Sequence, residues 1–292
     1  MTSARIQVLL AALLFSTGGT AIKFSGLSGW QIAGFRSGIA ALVLWIALPQ
    51  WRRVADARVL PVAVAYAATL VLFATANTLT TAANSIFLQG SAPFYVLLLS
   101  PRLLGEPISR RDLAVMALVG AGLALFFAGA EHPLATAPDP ARGNLVAAAS
   151  GITWAFTLIG LRRLGRSART HDGDPTGAAV VLGNALAFAV CLPMAFPVQG
   201  AGPADWIAVA YLGVVQIGLA YAFLVRGVRA VPALEVSLLL ILEPVASAIL
   251  AWLVHGEVPG PWSTAGCAII LIGVAAQAWF APRAPAAVGR PT

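Results

Sequence analysis

The chain has 292 residues, of which 59% are hydrophobic and 10% are charged, and its mean hydropathy is +0.86. A soluble domain carries about 25% charged residues, so this composition excludes an ordinary water-soluble protein and indicates lipid as the main solvent. The net charge of +7 does not indicate nucleic acid binding, because the basic residues lie in short gaps between apolar runs. We interpret them as anchors at the cytoplasmic leaflet of a bilayer.

The apolar runs have the length of membrane-spanning helices, since a helix needs about 20 residues to cross a hydrocarbon layer of about 30 Å. The first run continues to Phe24 without a clear cleavage site, so we interpret it as a retained span rather than a signal peptide. The predicted spans are 5–24, 29–49, 59–78, 82–101, 111–130, 143–161, 175–197, 204–226, 233–254 and 261–281.

The distribution of Lys and Arg predicts the orientation. With the N-terminus inside, the cytoplasmic gaps hold 15 of the 18 basic residues and the outer gaps hold two, Lys23 and Arg142. Positive residues are enriched on the cytoplasmic side of membrane proteins. The sequence therefore predicts a multi-pass protein of a bacterial inner membrane, with both termini in the cytoplasm.

Two segments repeat at an offset of 151 residues. Residues 87–106 and 238–257 are apolar spans that contain one aligned proline each, Pro93 and Pro244, and both segments end in Gly-Glu. Five spans per half is an odd number, so the second half enters the membrane from the opposite side. We predict an all-α fold of two inverted five-helix repeats around a central cavity, with the repeats at 1–130 and 143–281 and a cytoplasmic tail at 282–292.

The aligned prolines are predicted helix breaks. Interrupted spans at matching places in two halves are a sequence indicator of a transporter's binding site. The alternative is that two ordinary proline-containing helices match by chance, because membrane helices are low in complexity.

No enzyme motif is present. The three histidines, His132, His171 and His255, lie in gaps and lack the spacing of a metal site, and no Walker loop indicates ATP hydrolysis. Cys191 and Cys267 lie inside spans, where we expect packed thiols without a disulfide. The sequence predicts no enzyme activity, no cofactor and no metal. The expected partners are a small-molecule substrate and the lipid bilayer, not nucleic acid.

Polar and aromatic residues within spans mark the candidate substrate pathway, because facing lipid is costly for polar groups. The alternative for the Ser and Thr residues is tight helix packing, in which small residues are common. Aromatic side chains would hold a hydrophobic substrate, and amides would hold its polar ends. The candidate substrate-binding residues are Ser16, Thr20, Tyr66, Phe73, Asn77, Gln89, Tyr95, Trp154, Thr157, Tyr211, Gln216 and Tyr221.

Charged residues inside the spans have separate interpretations. Arg36 lies seven residues into its span, about 10 Å deep at 1.5 Å per residue. We expect it to extend outward or to pair with an outer acid such as Glu257, and substrate binding is the alternative. Glu106 and Glu257 are expected to anchor helix ends. Glu243 lies near the centre of its span, and either couples proton entry to transport or stays protonated and donates to the Leu240 carbonyl, which Pro244 leaves without its usual partner.

These features together resemble a known family. The first-span segment LLFSTGGTAIKF, the second-span segment AGFRSGIAALVL, and the segments SAPFYVLLLSPRLLGE and LEPVASAILAWLVHGE are similar to EamA-type members of the drug/metabolite transporter superfamily. The YddG-type exporters of amino acids are the nearest subgroup. The resemblance implies a ten-helix exporter with a central cavity lined by spans 1, 3, 4, 6, 8 and 9. In that first-span motif, Phe15 replaces the usual Trp.

We therefore predict a secondary transporter that exports small metabolites, most simply aromatic or hydrophobic amino acids, by alternating access. Proton coupling through Glu243 is a hypothesis. The alternative within the class is a drug or lipophilic-cation exporter. The alternative from another class is an accessory or assembly membrane protein that transports nothing.

Overall fold

The structure is a computed structural model that describes residues 3–54, 56–103, 110–125, 127–128, 133–167, 173–227, 240 and 242–280. The regular elements within these ranges are helices, and the predicted all-helical class is confirmed. They are α1 (Ser3–Lys23), α2 (Gly29–Ala47), a 3₁₀ turn (Pro49–Arg53), α3 (Val59–Leu79), α4 (Ala82–Gly90), α5 (Ala92–Leu103), α6 (Arg110–Leu125), α7 (Pro140–Ser167), α8 (Pro175–Ala195), α9 (Pro203–Tyr211), a π-helical segment (Leu212–Leu219), α10 (Ala220–Gly227), α11 (Leu242–His255) and α12 (Pro261–Phe280).

Six of these helical stretches are long and apolar enough to cross a bilayer. They are 3–23, 29–47, 59–79, 140–161, 175–195 and 203–224, and each corresponds to a predicted span. Two shorter apolar stretches, 242–255 and 261–273, correspond to the ninth and tenth predicted spans. The chain is therefore a multi-pass membrane protein, and the count of ten spans stays a prediction.

The fourth predicted span is divided into two helices. Helix α4 ends at Gly90 and α5 begins at Ala92, so the interruption falls at Ser91. Pro93 is the second residue of α5, a position where its missing N–H costs nothing because first-turn amides lack intrahelical partners. Pro244 lies in the first turn of α11. Residues 233–239 and 241 of this predicted span lie outside the described residues.

Several loops meet at one end of the bundle. The Lys23 ammonium donates to the Thr80 carbonyl at 2.9 Å and to the Thr136 carbonyl. The Asp205 carboxylate accepts from the Gly26 amide at 2.7 Å. These contacts bring together the loops after α1, after α3 and before α7, and the start of α9. We call this the Lys23 end. The loops that meet here are gaps between spans that the sequence predicts to lie on the outer side of the membrane.

Helices α1 and α7, which are equivalent by the sequence repeat, run in opposite directions. Helix α1 finishes at the Lys23 end, where its last residue contacts Thr80. Helix α7 begins there, because a Cβ built on Gly143 would lie 2.6 Å from the Thr80 Cβ. The two helices that begin the halves are therefore antiparallel, as an inverted repeat requires.

At the interface between α6 and α12, the contacting positions of the two helices are related by the same offset of 151 residues as the sequence repeat. A Cβ on Gly122 would lie 2.9 Å from Ile270 and 3.1 Å from Ile269, and one on Gly273 would lie 2.7 Å from Val119 and 3.6 Å from Leu118. Subtracting 151 from Gly273, Ile270 and Ile269 yields 122, 119 and 118. Each helix thus presents the same positions to the other, as expected where a local two-fold axis passes between them.

Other helix contacts also occur in matching pairs, in which each helix is replaced by its counterpart from the other half. Helix α2 packs against α8, which is its counterpart in the second half. Helix α1 packs against α11, and the counterpart contacts join α7 to α4 and α5. Helix α3 packs against α7, and the counterpart contact joins α10 to α1. This arrangement places α1, α3, α4, α7 and α10 around one shared interior.

Enlarging Gly122 should weaken the α6–α12 interface. The side chain of a Gly122→Val variant would meet both the Gly266 carbonyl at 3.0 Å and the Ile270 side chain. Overpacking of this kind costs about 1–3 kcal/mol. We expect a lower midpoint of thermal unfolding in detergent, measured by size-exclusion chromatography of heated samples. Gly90→Ala is the matched control, because a Cβ there meets no atom within 4 Å. An unchanged midpoint in Gly122→Val would contradict this interface.

Candidate functional site

A buried ion pair closes the Lys23 end of the interior. The Lys23 ammonium lies 2.9 Å from Glu257 Oε1, and the two side chains are 2% and 1% exposed. Glu257 Oε2 also accepts from the Ala82 amide at 2.9 Å. Since Ala82 opens α4, the carboxylate is placed where unpaired amides and the helix dipole favour negative charge. One carboxylate therefore links α1, α4 and the end of α11.

The local sequence directs Glu257 inward. Gly256 has φ +66, a conformation that glycine adopts without steric cost, and it terminates α11. The Gly256 amide donates to the Trp252 carbonyl at 3.0 Å. His255 Nε2 lies 3.0 Å from the Thr20 carbonyl, which attaches the same turn to α1.

The expected pairing of Glu257 with Arg36 is wrong. Glu257 binds Lys23 instead, and the Arg36 guanidinium neither pairs with an acid among the described residues nor extends to the surface, being 1% exposed. Arg36 Nη2 donates to the Leu70 carbonyl at 2.9 Å. The physical reason is position: Glu257 is held against the start of α4, whereas Arg36 points into the contact with α3. Glu106, the other expected helix-end anchor, lies outside the described residues.

Four aromatic side chains from four helices are in ring contact in the interior, and Phe73 lies on the same helix as one of them. The ring of Tyr221 contacts Phe15 at 5.0 Å and Tyr66 at 5.5 Å between centroids, both edge to face. Trp154 lies 6.4 Å from Tyr66. Phe73 lies two turns after Tyr66 on the same face of α3, and its ring centroid is 5.9 Å from the Arg36 guanidinium. We call Phe15, Tyr66, Phe73, Trp154 and Tyr221 the aromatic group.

Beside it, a chain of polar contacts crosses three helices. Gln89 Nε2 donates to the Ser150 hydroxyl at 2.8 Å, and that hydroxyl lies 3.4 Å from the Thr69 carbonyl. The Thr69 hydroxyl donates to Thr153 Oγ1 at 2.9 Å. The predicted candidate Gln89 thus faces the interior, but this structure commits its amide nitrogen to α7.

Asn77 is fully buried, and its side-chain amide makes only part of its possible hydrogen bonds. Its Nδ2 donates to the Ser85 hydroxyl at 2.8 Å and to the Phe73 carbonyl at 2.9 Å. Its Oδ1 has no hydrogen-bond partner within the described residues. A Cβ on Gly19 would lie 2.9 Å from that oxygen, so α1 covers it closely. A buried acceptor without a donor is a natural contact for a ligand N–H.

The π-helical segment 212–219 carries another candidate, Gln216. Its Nε2 lies 3.5 Å from the Phe15 carbonyl, and its Oε1 has no partner within the part of the chain described. Tyr211 precedes the segment and donates to the Thr17 hydroxyl at 2.9 Å. Departures from α-helical geometry of this kind are frequent at functional sites.

The remaining candidate residues make fewer side-chain contacts with other helices. The hydroxyls of Ser16 and Thr157 bond to carbonyls of their own helices, and Thr20 Oγ1 has no partner within the described chain. The ring of Tyr95 lies 5.3 Å from that of Phe94 between centroids, and it also lies beside Gly151 on α7. Glu243 is partly buried in the first turn of α11 and lies within electrostatic reach of Tyr221.

Two interior residues were not among the sequence candidates. Asn184 on α8 is fully buried; its Nδ2 donates to the Val180 carbonyl at 2.9 Å, and its Oδ1 has no partner among the residues described. A lone amide in the apolar run VVLGNALAF was the available signal. Arg36, treated above as structural, is the second. The described residues contain no group of three or more His, Cys, Asp or Glu that could hold a metal ion.

Comparison with known proteins supports a two-repeat membrane protein. The model of the EamA-like transporter family matches twice, at residues 2–128 and 141–277. One crystal structure of a protein superposes with a TM-score of 0.60, covering 94% of this chain and 95% of that chain, at 23% identity. Identity this low shows the shared fold alone. No curated protein matches the chain.

Removing both partners of the Lys23–Glu257 pair should destabilise the protein by less than the sum of the two single removals. Breaking a buried pair leaves an uncompensated charge and costs about 3–5 kcal/mol. We expect Glu257→Gln and Lys23→Met each to lower the thermal midpoint, and the double variant to lower it by less than the sum. A double-mutant cycle on midpoints in one detergent measures this coupling. Strict additivity would mean that the pair contributes nothing.

Proposed function

Because the chain belongs to the EamA-like transporter family, whose members move small molecules across membranes, we propose that it is a secondary exporter of aromatic and other hydrophobic amino acids, similar to YddG-type exporters. The observation that carries this proposal is the aromatic group, five rings contributed by helices of both halves. Aromatic rings hold an apolar side chain by burial and edge-to-face contact.

Alternating access is supported by the inverted halves and by the ion pair at the Lys23 end. Helices α1, α4 and α11 converge on Glu257 there. Separating Lys23 from Glu257 would release these helices together, which is the motion an exchange of access requires. We propose that this structure corresponds to a conformation closed at the Lys23 end.

A lipophilic-cation exporter is the second candidate. The observation that favours it is Glu243, a carboxylate within electrostatic reach of an aromatic side chain, Tyr221. Aromatic faces attract cations. A non-transporting accessory protein is the candidate from another class, and it predicts no flux from pure protein.

Purified protein in liposomes should exchange aromatic amino acids. We expect counterflow of radiolabelled phenylalanine or tryptophan that exceeds that of lysine or tetraphenylphosphonium. Trp154→Ala should raise the concentration for half-maximal phenylalanine counterflow by up to about tenfold, since an aromatic contact contributes about 0.5–1.5 kcal/mol. Trp252→Ala is the matched control, because Trp252 is 57% exposed on the bundle surface. Flux of tetraphenylphosphonium alone would favour the cation exporter, and absence of any flux the accessory protein.

The role of Glu243 can be separated from its structural alternative. Glu243→Gln keeps a hydrogen-bond donor but cannot titrate. If Glu243 couples protons, the variant should still exchange substrate at equal concentrations yet fail to accumulate it under an imposed proton gradient. Unaltered gradient-driven accumulation by a stable Glu243→Gln protein would exclude coupling through this residue.

The proposed orientation places the Lys23 end outside the cytoplasmic membrane. Leu134, which is 45% exposed at this end, and Ala57, which is exposed at the opposite end, provide a matched pair of sites. In a background lacking Cys191 and Cys267, an impermeant thiol reagent should label Leu134→Cys in intact cells and label Ala57→Cys only after permeabilisation. The reverse pattern would invert the topology.

A further inference from the structure

Arg36 is a buried cation whose charge has no protein counter-ion in the described structure. Its side chain is 1% exposed, and it is among the largest fully buried side chains described. Nη2 donates to the Leu70 carbonyl, whereas Nε has no partner among the described residues. A guanidinium carries five N–H donors and stays charged. Burial of such a group is normally accompanied by a carboxylate.

The described acids nearest the ends of the bundle are committed elsewhere. Glu257 binds Lys23, Asp205 accepts from the loop after α1, and Asp56 binds the exposed Arg58. The hydrogen bond from Arg36 to the Leu70 carbonyl uses one N–H, which a neutral side chain could also supply. This bond does not account for a buried positive charge.

Polar side chains of three other helices lie near the guanidinium. Tyr66, Tyr221 and Cys191 are its electrostatic neighbours. The rings of Tyr66 and Tyr221 lie 5.5 Å apart, and the Tyr66 hydroxyl has no hydrogen-bond partner within the described residues. The Tyr66 hydroxyl is directed toward Tyr221 and Asn184, but neither it nor Asn184 Oδ1 makes a hydrogen bond of ordinary geometry there. Helices α2, α3, α8 and α10 thus each contribute one polar side chain to the same spot.

The apolar side of this spot is aromatic. Phe73 lies 5.9 Å from the Arg36 guanidinium, and Tyr66 continues the wall toward Trp154. A ligand that filled it would present an anion to Arg36 and an aromatic body to these rings. Lys23, the other buried cation described, is held by Glu257 at the Lys23 end. Glu243 lies within electrostatic reach of Tyr221 but forms no ion pair with Arg36 in the described structure. Arg36 is therefore the positive charge of this spot.

We propose that Arg36 binds the carboxylate of the transported molecule, and that the Tyr66 and Tyr221 hydroxyls complete the anion subsite. The proposal rests on the proposed transport function and narrows its substrate to aryl carboxylates, with or without an amine. The planar guanidinium matches a carboxylate through two parallel hydrogen bonds. One positive charge suits a monoanion better than a phosphate dianion.

The experiment compares ligands that differ only in their polar ends. Phenylalanine, 3-phenylpropionate, phenylalaninamide, phenethylamine and phenyl phosphate are tested as competitors of phenylalanine counterflow and for thermal stabilisation of the purified wild-type protein. We expect the two carboxylates to compete at least tenfold more strongly than the amide and the amine. Phenyl phosphate should compete more weakly than 3-phenylpropionate.

Variants of Arg36 then test whether this residue causes the preference for carboxylates. Arg36→Gln should abolish the preference for 3-phenylpropionate over phenylalaninamide. The thermal stabilisation that phenylalaninamide gives this variant should stay within about twofold of the value for the wild-type protein. Arg36→Lys keeps the charge but not the paired hydrogen bonds, and should show an intermediate preference. Arg142→Gln, which removes a charge from an exposed position, should resemble wild type. A purely structural role for Arg36 would change stability without changing this ratio of ligands.

Each outcome decides the proposal. A folded Arg36→Gln protein with the wild-type ratio overturns it. If Arg36→Gln does not fold, the wild-type comparison still decides: equal competition by phenylalaninamide and phenylalanine overturns it, as does stronger competition by phenyl phosphate. Failure of the transport function itself looks different, because then no member of the panel exchanges and none stabilises the protein.

Discussion

The buried pair of Lys23 and Glu257 determines how the two halves meet at one end of the bundle. In a lipid-embedded protein, a charge without a partner is costly and cannot be relieved by water. Both side chains are almost completely buried, so each requires the other. Glu257 also accepts from the first amide of α4, and Lys23 also donates to two loop carbonyls. Four segments distant in sequence are consequently held at one point.

The inverted repeat explains why the interior is shared by both halves. Packing of α6 on α12 is related by the same offset of 151 residues that relates their sequences, as Gly122 and Gly273 show. When two equivalent units pack about an axis, surfaces near the axis come from both. The aromatic group follows this rule, because Phe15, Tyr66 and Phe73 belong to the first half and Trp154 and Tyr221 to the second.

Within this interior, several polar atoms without hydrogen-bond partners belong to residues that contact the aromatic group or neighbour it. Asn77 Oδ1, Gln216 Oε1 and Arg36 Nε lack partners within the described residues. Buried polar groups are ordinarily hydrogen bonded. Their concentration in a protein of a transporter family is consistent with a site whose hydrogen bonds are completed by a ligand, which is the basis of the function proposed above.

Composition and periodicity alone determined the helical class, the membrane setting and the location of most spans, because lipid permits only segments whose backbone bonds are internal. The face shared by Tyr66, Phe73 and Asn77 on α3 was likewise readable, since helical spacing is local. The partners of charged groups were not. Glu257 was expected to meet Arg36, but Gly256 and the start of α4 place it against Lys23. Asn184 was overlooked because one amide in an apolar run does not indicate which neighbours it meets. Contacts of this kind depend on which helices pack together and at what height, and only the tertiary structure decides that.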